Sequence, residues 1–277
     1  MKNTILFFLI VICLISCNEE IETSKLLEVS ANIATKSISD FVENDSIGIF
    51  VQKTDGTMYN DCDCSQNAKA VYQSGKWSVL QNIRVGADTG NVYAYYPYST
   101  AVSDYKNIPL KIATQTDYLY SDKSAVNANQ PKANLIMKHA MSLVSFQISR
   151  NNYPGTGVVS HIEITGVPDT GMLDISTGNI TSGTIKSFSH DCNITLSAAP
   201  VTIDFITIPC SADGVTAVFT VDGKDYTYKF PNGILEKGKT NTYMLSLNYT
   251  ELLQTGSSVS PWLAGNTYTG DLNLITK

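Results

Sequence analysis

The chain has 277 residues, a formal net charge of −6, and charged residues at only 16% of its positions. It carries no basic stripe, so nucleic acid is not expected as a partner. The length is sufficient for two domains of ordinary size.

Residues 1–16 are predicted to form a lipoprotein signal peptide. Lys2 supplies a positive charge, and residues 5–15 are almost wholly apolar but too few to span a bilayer comfortably. The sequence Leu14-Ile15-Ser16-Cys17 resembles a lipobox, which implies cleavage before Cys17 and lipidation of its thiol. The alternative is an ordinary signal peptide with an incidental cysteine. The lipobox predicts a chain anchored to a membrane by lipid, without a spanning segment.

Four further cysteines follow, and an envelope location would permit disulfides among them. Cys192 and Cys210 could join neighbouring strands, but the sequence leaves three pairings of Cys62, Cys64, Cys192 and Cys210 open. A zinc site at Cys62 and Cys64 is disfavoured because one intervening residue is fewer than zinc sites use. No metal and no cofactor are predicted.

Alternating apolar and polar residues predict β-strands in the first half of the chain. One face of a strand is formed by Ile47, Ile49 and Val51. A hairpin at Ser74-Gly75 leads into Trp77 and Val79. Residues 92–98 read as an aromatic strand that Pro97 ends or confines to an edge.

The second half follows the same pattern. Residues 144–148 and 162–164 alternate, and residues 215–221 and 226–230 flank an Asp222-Gly223 turn of the kind found in hairpins. A third run, residues 243–249, is predicted to continue these two as an antiparallel strand. Short strands with frequent turns favour β-sandwiches, divided by a linker at residues 150–157.

Catalysis has no positive support in the sequence, because no nucleophile elbow, phosphate loop or metalloprotease motif is present. His190 and Cys192 are close in sequence, in what reads as a loop. A catalytic pair has to meet across a pocket, which loop neighbours rarely do. The chain is therefore predicted not to be an enzyme, and the function of an envelope hydrolase is strongly disfavoured.

Several motifs together resemble Bacteroidales fimbrillin-like proteins, the major and minor fimbrillin superfamily of type V pilus subunits. Each motif is degenerate, but their order and spacing cover nearly the whole chain after Cys17. In chain order they are Ala34-Thr35-Lys36, Glu43-Asn44-Asp45-Ser46-Ile47-Gly48-Ile49-Phe50-Val51, Ala94-Tyr95-Tyr96-Pro97-Tyr98, Gln115-Thr116-Asp117-Tyr118-Leu119-Tyr120, Met137-Lys138-His139-Ala140-Met141-Ser142, Gly238-Lys239-Thr240-Asn241-Thr242-Tyr243 and Val259-Ser260-Pro261-Trp262.

The resemblance implies an all-β fold of two transthyretin-like β-sandwich domains with Greek-key type connections. We place the first at residues 37–150 and the second at residues 151–277, after a lipidated tether and first strand at residues 17–36. The acidic residues that follow Cys17 resemble a surface-export signal, although a solvated tether explains them too. These expectations place the protein in a fimbrium and on the cell outer membrane, lipid-anchored and surface exposed.

In that family a protease removes the lipidated segment, and a neighbouring subunit fills the vacated groove with a donated strand. Two segments here have the alternation that strand exchange needs. The exchanged first strand would use Leu27, Val29, Ala31 and Ile33, and a candidate C-terminal donor strand would use Tyr268, Leu272 and Leu274. The alternative for each segment is an ordinary edge strand of its own domain.

The expected cleavage site departs from the family pattern. Known members are cleaved after arginine, but Arg84 and Arg150, the arginines of this chain, lie well inside the predicted fold. We predict cleavage after Lys36 by a trypsin-like protease. The alternative is a subunit that keeps its lipid.

The predicted function is a structural or tip subunit of an adhesive fimbria, mediating cell adhesion and biofilm formation. Its partners would be other fimbrial subunits, in a homo- or hetero-polymer, and a surface receptor that the sequence does not identify. The alternative is a monomeric outer-membrane lipoprotein that binds glycans on exposed aromatic side chains. Candidate side chains for that role are Tyr93, Tyr95, Tyr98 and Trp262.

Overall fold

The computed structural model describes residues 24–34, 41–59 and 63–262. Within these ranges the chain forms β-strands and short 3-10 turns, among them Asp63–Ser65, and no α-helix, which confirms the all-β prediction. No helix in the described part of the chain has the length and apolarity needed to cross a bilayer. Five predicted site residues lie outside the described ranges: Cys17, Lys36, Tyr268, Leu272 and Leu274.

The first half of the chain forms an eight-stranded sheet in the order β2-β11-β9-β7-β3-β4-β5, with β10 paired to β7. The pair β2 and β11 is parallel, and the other pairs are antiparallel. The strands are β2 (Glu28–Ile33), β3 (Ser46–Gln52), β4 (Ala68–Gln73), β5 (Lys76–Val79), β7 (Gly90–Tyr96), β9 (Leu119–Ser121), β10 (Ser124–Val126) and β11 (Lys132–His139).

Two four-stranded sheets form the second half, in the orders β17-β12-β22-β23 and β16-β13-β19-β20. Their apolar faces share one core, in which Phe146 of the first sheet meets Phe219 of the second at 5.1 Å between ring centroids. The strands are β12 (Ser142–Arg150), β13 (Val158–Pro168), β16 (Ile185–Thr195), β17 (Val201–Thr207), β19 (Thr216–Val221), β20 (Lys224–Lys229), β22 (Lys239–Leu247) and β23 (Leu252–Pro261).

Three smaller sheets complete the fold. One of them joins the two halves, because β8 from the first half pairs with β14 from the second. The strands are β1 (Lys25–Leu26) with β6 (Arg84–Val85), β8 (Ile108–Lys111) with β14 (Thr170–Asp174) and β15 (Asn179–Ser182), and β18 (Cys210–Ser211) with β21 (Ile234–Leu235).

The chain passes from the sheet of the first half to the sheets of the second half between His139 and Ser142, before the predicted linker at residues 150–157. Strand β12 precedes that linker but pairs with β17 and β22 of the second half. The linker itself is the loop between β12 and β13.

One predicted strand pairing is wrong. Strands β19 and β20 form the expected hairpin around Asp222-Gly223, where both residues have positive φ. Strand β22 does not continue that hairpin, because it crosses to the opposite sheet and pairs with β12 and β23. The alternation was nevertheless correct, since Tyr243 of β22 faces the same core and packs 4.9 Å from Phe230.

Two of the motifs quoted above pack against each other at Gly48 and Tyr95, which are paired across β3 and β7. A side chain at Gly48 would place its Cβ 2.0 Å from Cε1 of the Tyr95 ring. The Tyr95 hydroxyl lies 2.8 Å from Oδ1 of Asn67, and burial raises the pKa of this phenol to about 12. Glycine is therefore needed at residue 48 for Tyr95 to lie flat across its neighbouring strand.

Candidate subunit interface

The predicted first strand corresponds to β2, which packs tightly within the N-terminal sheet. Leu27, Val29, Ala31 and Ile33 are between 3% and 8% exposed, and they belong to the apolar core of that sheet. Glu28 and Asn32 on the other face are exposed. The predicted strand and its apolar face are confirmed, whereas its exchange between subunits stays a prediction.

Strand β2 is fully paired along one side only. The N–H of Glu28 donates to the carbonyl of Pro131 at 2.9 Å, and the N–H of Ala34 donates to Met137 at 2.8 Å. Successive residues of a strand direct their backbone groups to opposite sides, so even-numbered positions face β11. Val29 and Ala31 therefore present their N–H and C=O groups along the open edge of the sheet.

The opposite end of the same sheet, β5, also presents an open edge. Strands β4 and β5 form a hairpin with the two-residue turn Ser74-Gly75, so Lys76 is in a hydrogen-bonded pair with β4. The N–H of Leu80 donates to Lys69 at 2.9 Å, which fits the same alternation. Trp77 and Val79 consequently direct their backbone groups away from β4.

Trp77 joins the two open edges. Its indole Nε1 donates to the carbonyl oxygen of Ala31 at 3.3 Å. The ring packs edge-on against Phe41 at 5.0 Å between centroids, and it contacts Tyr72 at 5.3 Å. The sheet thus curls until its first and last strands are linked by a side chain.

A groove of about 550 Å³ lies between these strands. Its first wall consists of the six consecutive residues 27–32, and its second wall includes Trp77 and Val79. Lys76 and Lys132 also line it, together with Glu28. The groove therefore combines apolar side chains, unshared strand edges and a small excess of positive charge.

A second set of motif residues meets at Trp262, the last residue that the structure describes. The rings of Trp262 and His139 are stacked, with 4.4 Å between centroids and 5° between planes. Nδ1 of His139 lies 2.8 Å from Oδ2 of Asp117, and both side chains are buried. Burial raises the pKa of the Asp117 carboxyl above its ordinary value, while the hydrogen bond from His139 opposes that rise. The N–H of Trp262 donates to the carbonyl of Gly238 at 2.9 Å, so residues from four motifs fix the point where residues 263–277 begin.

The structure does not support the predicted glycan-binding surface of four exposed aromatic side chains. Tyr95 and Trp262 are only 1% and 3% exposed, so neither offers a face to a sugar. Tyr93 is half-buried and stacked on Tyr105 at 5.6 Å, and Tyr98 lies beneath the Lys69 ammonium. The four aromatic residues do not form an exposed platform.

The residues 189–192 lie in strand β16 and not in the expected loop. Cys192 and Cys210 are free thiols, and burial raises the pKa of each to about 11, which disfavours the nucleophilic thiolate. Cys64 is disulfide-bonded, which argues against a zinc ligand at this position, and Cys62 lies outside the described residues.

Sequence reasoning identified β2 but missed its opposite wall. The sequence places Trp77 in a hairpin but gives it no role, because a hairpin pattern does not show where the far edge of a curled sheet lies. An aromatic residue on a short strand after a tight turn is a weak sign of an edge position.

A model of the fimbrillin-like family matches residues 34–262. The chain belongs to the fimbrillin-like family. The matched region begins directly after β2 and ends at Trp262, so it includes β11 and β5. No curated protein matches the chain.

Solved structures of Bacteroides proteins share this fold. A candidate cell adhesion protein from Bacteroides ovatus aligns with a TM-score of 0.73 and 19% identity, covering 88% of this chain and 99% of its own. A second candidate cell adhesion protein, from Bacteroides uniformis, gives a TM-score of 0.67 and 18% identity, with coverages of 86% and 99%. A fimbrial protein from Bacteroides vulgatus gives 0.57 and 12%, with the same coverages of 86% and 99%.

Proposed function

We propose that this fimbrillin-like chain is a subunit of an adhesive fimbria, exported as a lipoprotein anchored through Cys17. Subunits would assemble when β2 is removed and replaced by a strand from a neighbour. Family membership and the fimbrial and adhesion proteins with this fold support a pilus role. The role is structural, and no catalytic step is assigned.

The observation that carries the proposal is the half-paired state of β2. It is held by a parallel ladder on one side and by the Trp77 indole on the other. Its four apolar side chains fill part of a core whose other members come from elsewhere in the chain. Loss of β2 would expose that core and the edge of β11, and an incoming strand with the same alternation could cover both.

Two lysines bracket the strand and separate two maturation routes. Lys25 lies in β1, where it pairs with Val85. Cleavage after Lys25 would therefore cut the chain before β2 and leave β2 attached to the rest of the fold. Cleavage after Lys36 would detach β2 from the rest of the fold. We therefore assign maturation to Lys36.

The test is to mix protein trimmed by a lysine-specific protease with untrimmed protein, and to examine the mixture by SDS electrophoresis without boiling. We expect SDS-resistant ladders from the wild-type chain and from Lys25→Ala, and none from Lys36→Ala. Ladders that persist in Lys36→Ala would exclude this cleavage site. Monomers in every sample would exclude strand exchange. Incorporation of labelled palmitate, lost in Cys17→Ala, tests the anchor separately.

A further inference from the structure

We propose that residues 41–45 act as a brace, which holds the β4–β5 hairpin in its folded position after β2 has been cut away. The inference rests on the proposed function, which it extends to the state of the subunit between the loss of β2 and the arrival of its replacement. The brace would keep the far edge of the curled sheet folded during that interval.

The brace begins with a buried aromatic side chain. Phe41 is 5% exposed, and its ring lies edge-on to Trp77 at 5.0 Å between centroids. The same ring lies 5.8 Å from Tyr96 and 6.4 Å from Tyr72. These three partners belong to β5, β7 and β4, so none of the three ring contacts is made with β2. Phe41 therefore ties the last strand of the sheet to an interior strand.

Backbone hydrogen bonds fasten the brace to β4 and to the turn that precedes β5. The N–H of Asn44 donates to the carbonyl of Tyr72 at 2.9 Å, and the N–H of Tyr72 donates to the carbonyl of Asp45 at 2.8 Å. The Glu43 carboxylate accepts from the N–H of Ser74 at 3.0 Å. These bonds continue the pairing of β3 with β4 as far as the hairpin turn.

The Asp45 carboxylate closes the brace into a tight turn. It accepts from the N–H of Val42 at 2.9 Å and from the Tyr96 hydroxyl at 3.2 Å. The N–H of Asp45 donates in return to the carbonyl of Val42 at 3.0 Å. Asn44 completes the turn with a φ of 74°, a conformation that asparagine adopts more readily than most residues. The turn fixes the start of the brace, and with it the Phe41 ring.

The position of the brace in the chain separates it from β2. Cleavage after Lys36 falls between the two, so β2 can leave with the Ala31 carbonyl while Phe41 stays against Trp77. Strand β5 has only four residues, and a two-stranded hairpin alone is marginally stable. A hairpin kept folded by the brace would spare an incoming strand the entropic cost of ordering it.

The experiment follows the hairpin by hydrogen exchange before and after β2 is removed. A recognition site for a sequence-specific protease is inserted after Lys36 in the full chain, and the cut chain is separated from β2 by gel filtration in urea below its unfolding midpoint. We expect residues 68–80 of the wild type to stay protected from exchange after β2 is gone. In Phe41→Ala, the same residues should be protected in the uncut chain and should lose protection after removal.

Two further variants make the comparison specific. Asp45→Ala loosens the turn without removing the buried ring, so it tests the brace even if Phe41→Ala does not fold, and it should lose protection in the same way. Val42→Ala is the matched control, because Val42 is 64% exposed, and it should behave as the wild type does. Circular dichroism of each uncut variant establishes that it is folded.

Rebinding of β2 provides a second readout. A fluorescein-labelled peptide of residues 24–34 is added to the cut, β2-free chain, and binding is measured by fluorescence anisotropy. We expect Phe41→Ala to weaken binding by roughly tenfold or more, as coupling between packed residues does. Val42→Ala should leave the affinity unchanged.

Loss of protection over residues 68–80 in the cut wild type would overturn the brace. So would a wild type that unfolds when β2 is removed, or wild-type protection and affinity in the cut forms of both Phe41→Ala and Asp45→Ala. These outcomes are separable from the proposed function. A protected hairpin without SDS-resistant ladders would retain the brace and reject strand exchange. Ladders from a wild type whose hairpin loses protection would retain exchange and reject the brace.

Discussion

The indole nitrogen of Trp77 and the carbonyl oxygen of Ala31 lie 3.3 Å apart, although 46 positions separate the two residues in sequence. This hydrogen bond joins the first and last strands of one curled sheet. A side chain here takes the place of a missing ladder of backbone hydrogen bonds. Strand β2 is consequently secured by packing and by β11, and only lightly by β5.

Substitution of Trp77 should separate its hydrogen bond from its packing. Trp77→Phe removes the N–H and keeps an aromatic ring against Phe41, so we expect a loss of about 0.5–1.5 kcal/mol in the free energy of unfolding. Trp77→Ala also removes the contacts with Phe41 and Tyr72, so its loss in the free energy of unfolding should be larger. We expect about 2–4 kcal/mol, which is less than for a fully buried tryptophan because this site is only partly buried. Urea denaturation followed by circular dichroism measures both. Equal losses in the two variants would contradict this division.

The buried face of β2 should matter to stability far more than its exposed face. Ile33 is 3% exposed, so Ile33→Ala should lower the free energy of unfolding by about 2–5 kcal/mol. Asn32 is its exposed neighbour on the same strand, and Asn32→Ala should change stability by less than about 0.5 kcal/mol. Limited proteolysis of the two variants provides a second readout. Similar protease sensitivity would mean that β2 packs loosely.

The strands were largely predictable from sequence because alternation reports burial of one face. The hairpins at Ser74-Gly75 and Asp222-Gly223 and the apolar face of β2 could all be derived from local pattern. Pairing over long distances could not. Strand β22 reads like a continuation of β20, and nothing in its alternation shows that it belongs to the opposite sheet.

The same limit applies to the candidate interface. One wall of the groove, β2, can be recognised from its alternating apolar residues. The groove itself forms only because the sheet curls and brings β5 close to β2. The family motifs acquired a physical meaning only in three dimensions. Gly48 accommodates Tyr95, and Asp117, His139 and Trp262 form one cluster.

The contact between Gly48 and Tyr95 predicts a severe effect from a small change. Gly48→Ala would place a methyl group inside the Tyr95 ring, and the ring is held by hydrogen bonds to Asn67 and Ser99. We expect a loss of about 1–3 kcal/mol or more in the free energy of unfolding. Gly256→Ala is the control, because its nearest neighbour is the flexible Met244 side chain at 3.2 Å. A comparable loss in both variants would show that the contact with the Tyr95 ring is not the cause.

The buried pair of Asp117 and His139 should be costly to break from one side. His139→Ala would leave the Asp117 carboxyl without its partner in the interior, and such a change costs about 3–5 kcal/mol. Asp117→Asn keeps an oxygen that can accept from Nδ1, so its loss should be smaller. Urea denaturation at neutral pH compares them. A His139→Ala variant as stable as the wild type would contradict the cost assigned to the unpaired carboxyl.

Asp222 should make stability depend on pH in the acid range. Its carboxylate accepts hydrogen bonds from the Thr156 hydroxyl and from the N–H groups of Gly157 and Val158, which lower its pKa to about 2 from an ordinary value of 3.8. A carboxyl whose pKa is lower in the folded state stabilises the fold above its unfolded pKa, and that contribution disappears as pH falls through the folded value. The wild type should therefore lose stability between about pH 4 and pH 2.

Asp222→Asn should lack this part of the loss, so that the two proteins differ at pH 5 and converge near pH 2. Thr156→Ala removes the hydrogen bond that contributes most to the lowered pKa, and it should narrow the same pH window without abolishing it. Urea denaturation at these pH values measures the difference, and a gap between wild type and Asp222→Asn that stays constant with pH would contradict the assignment.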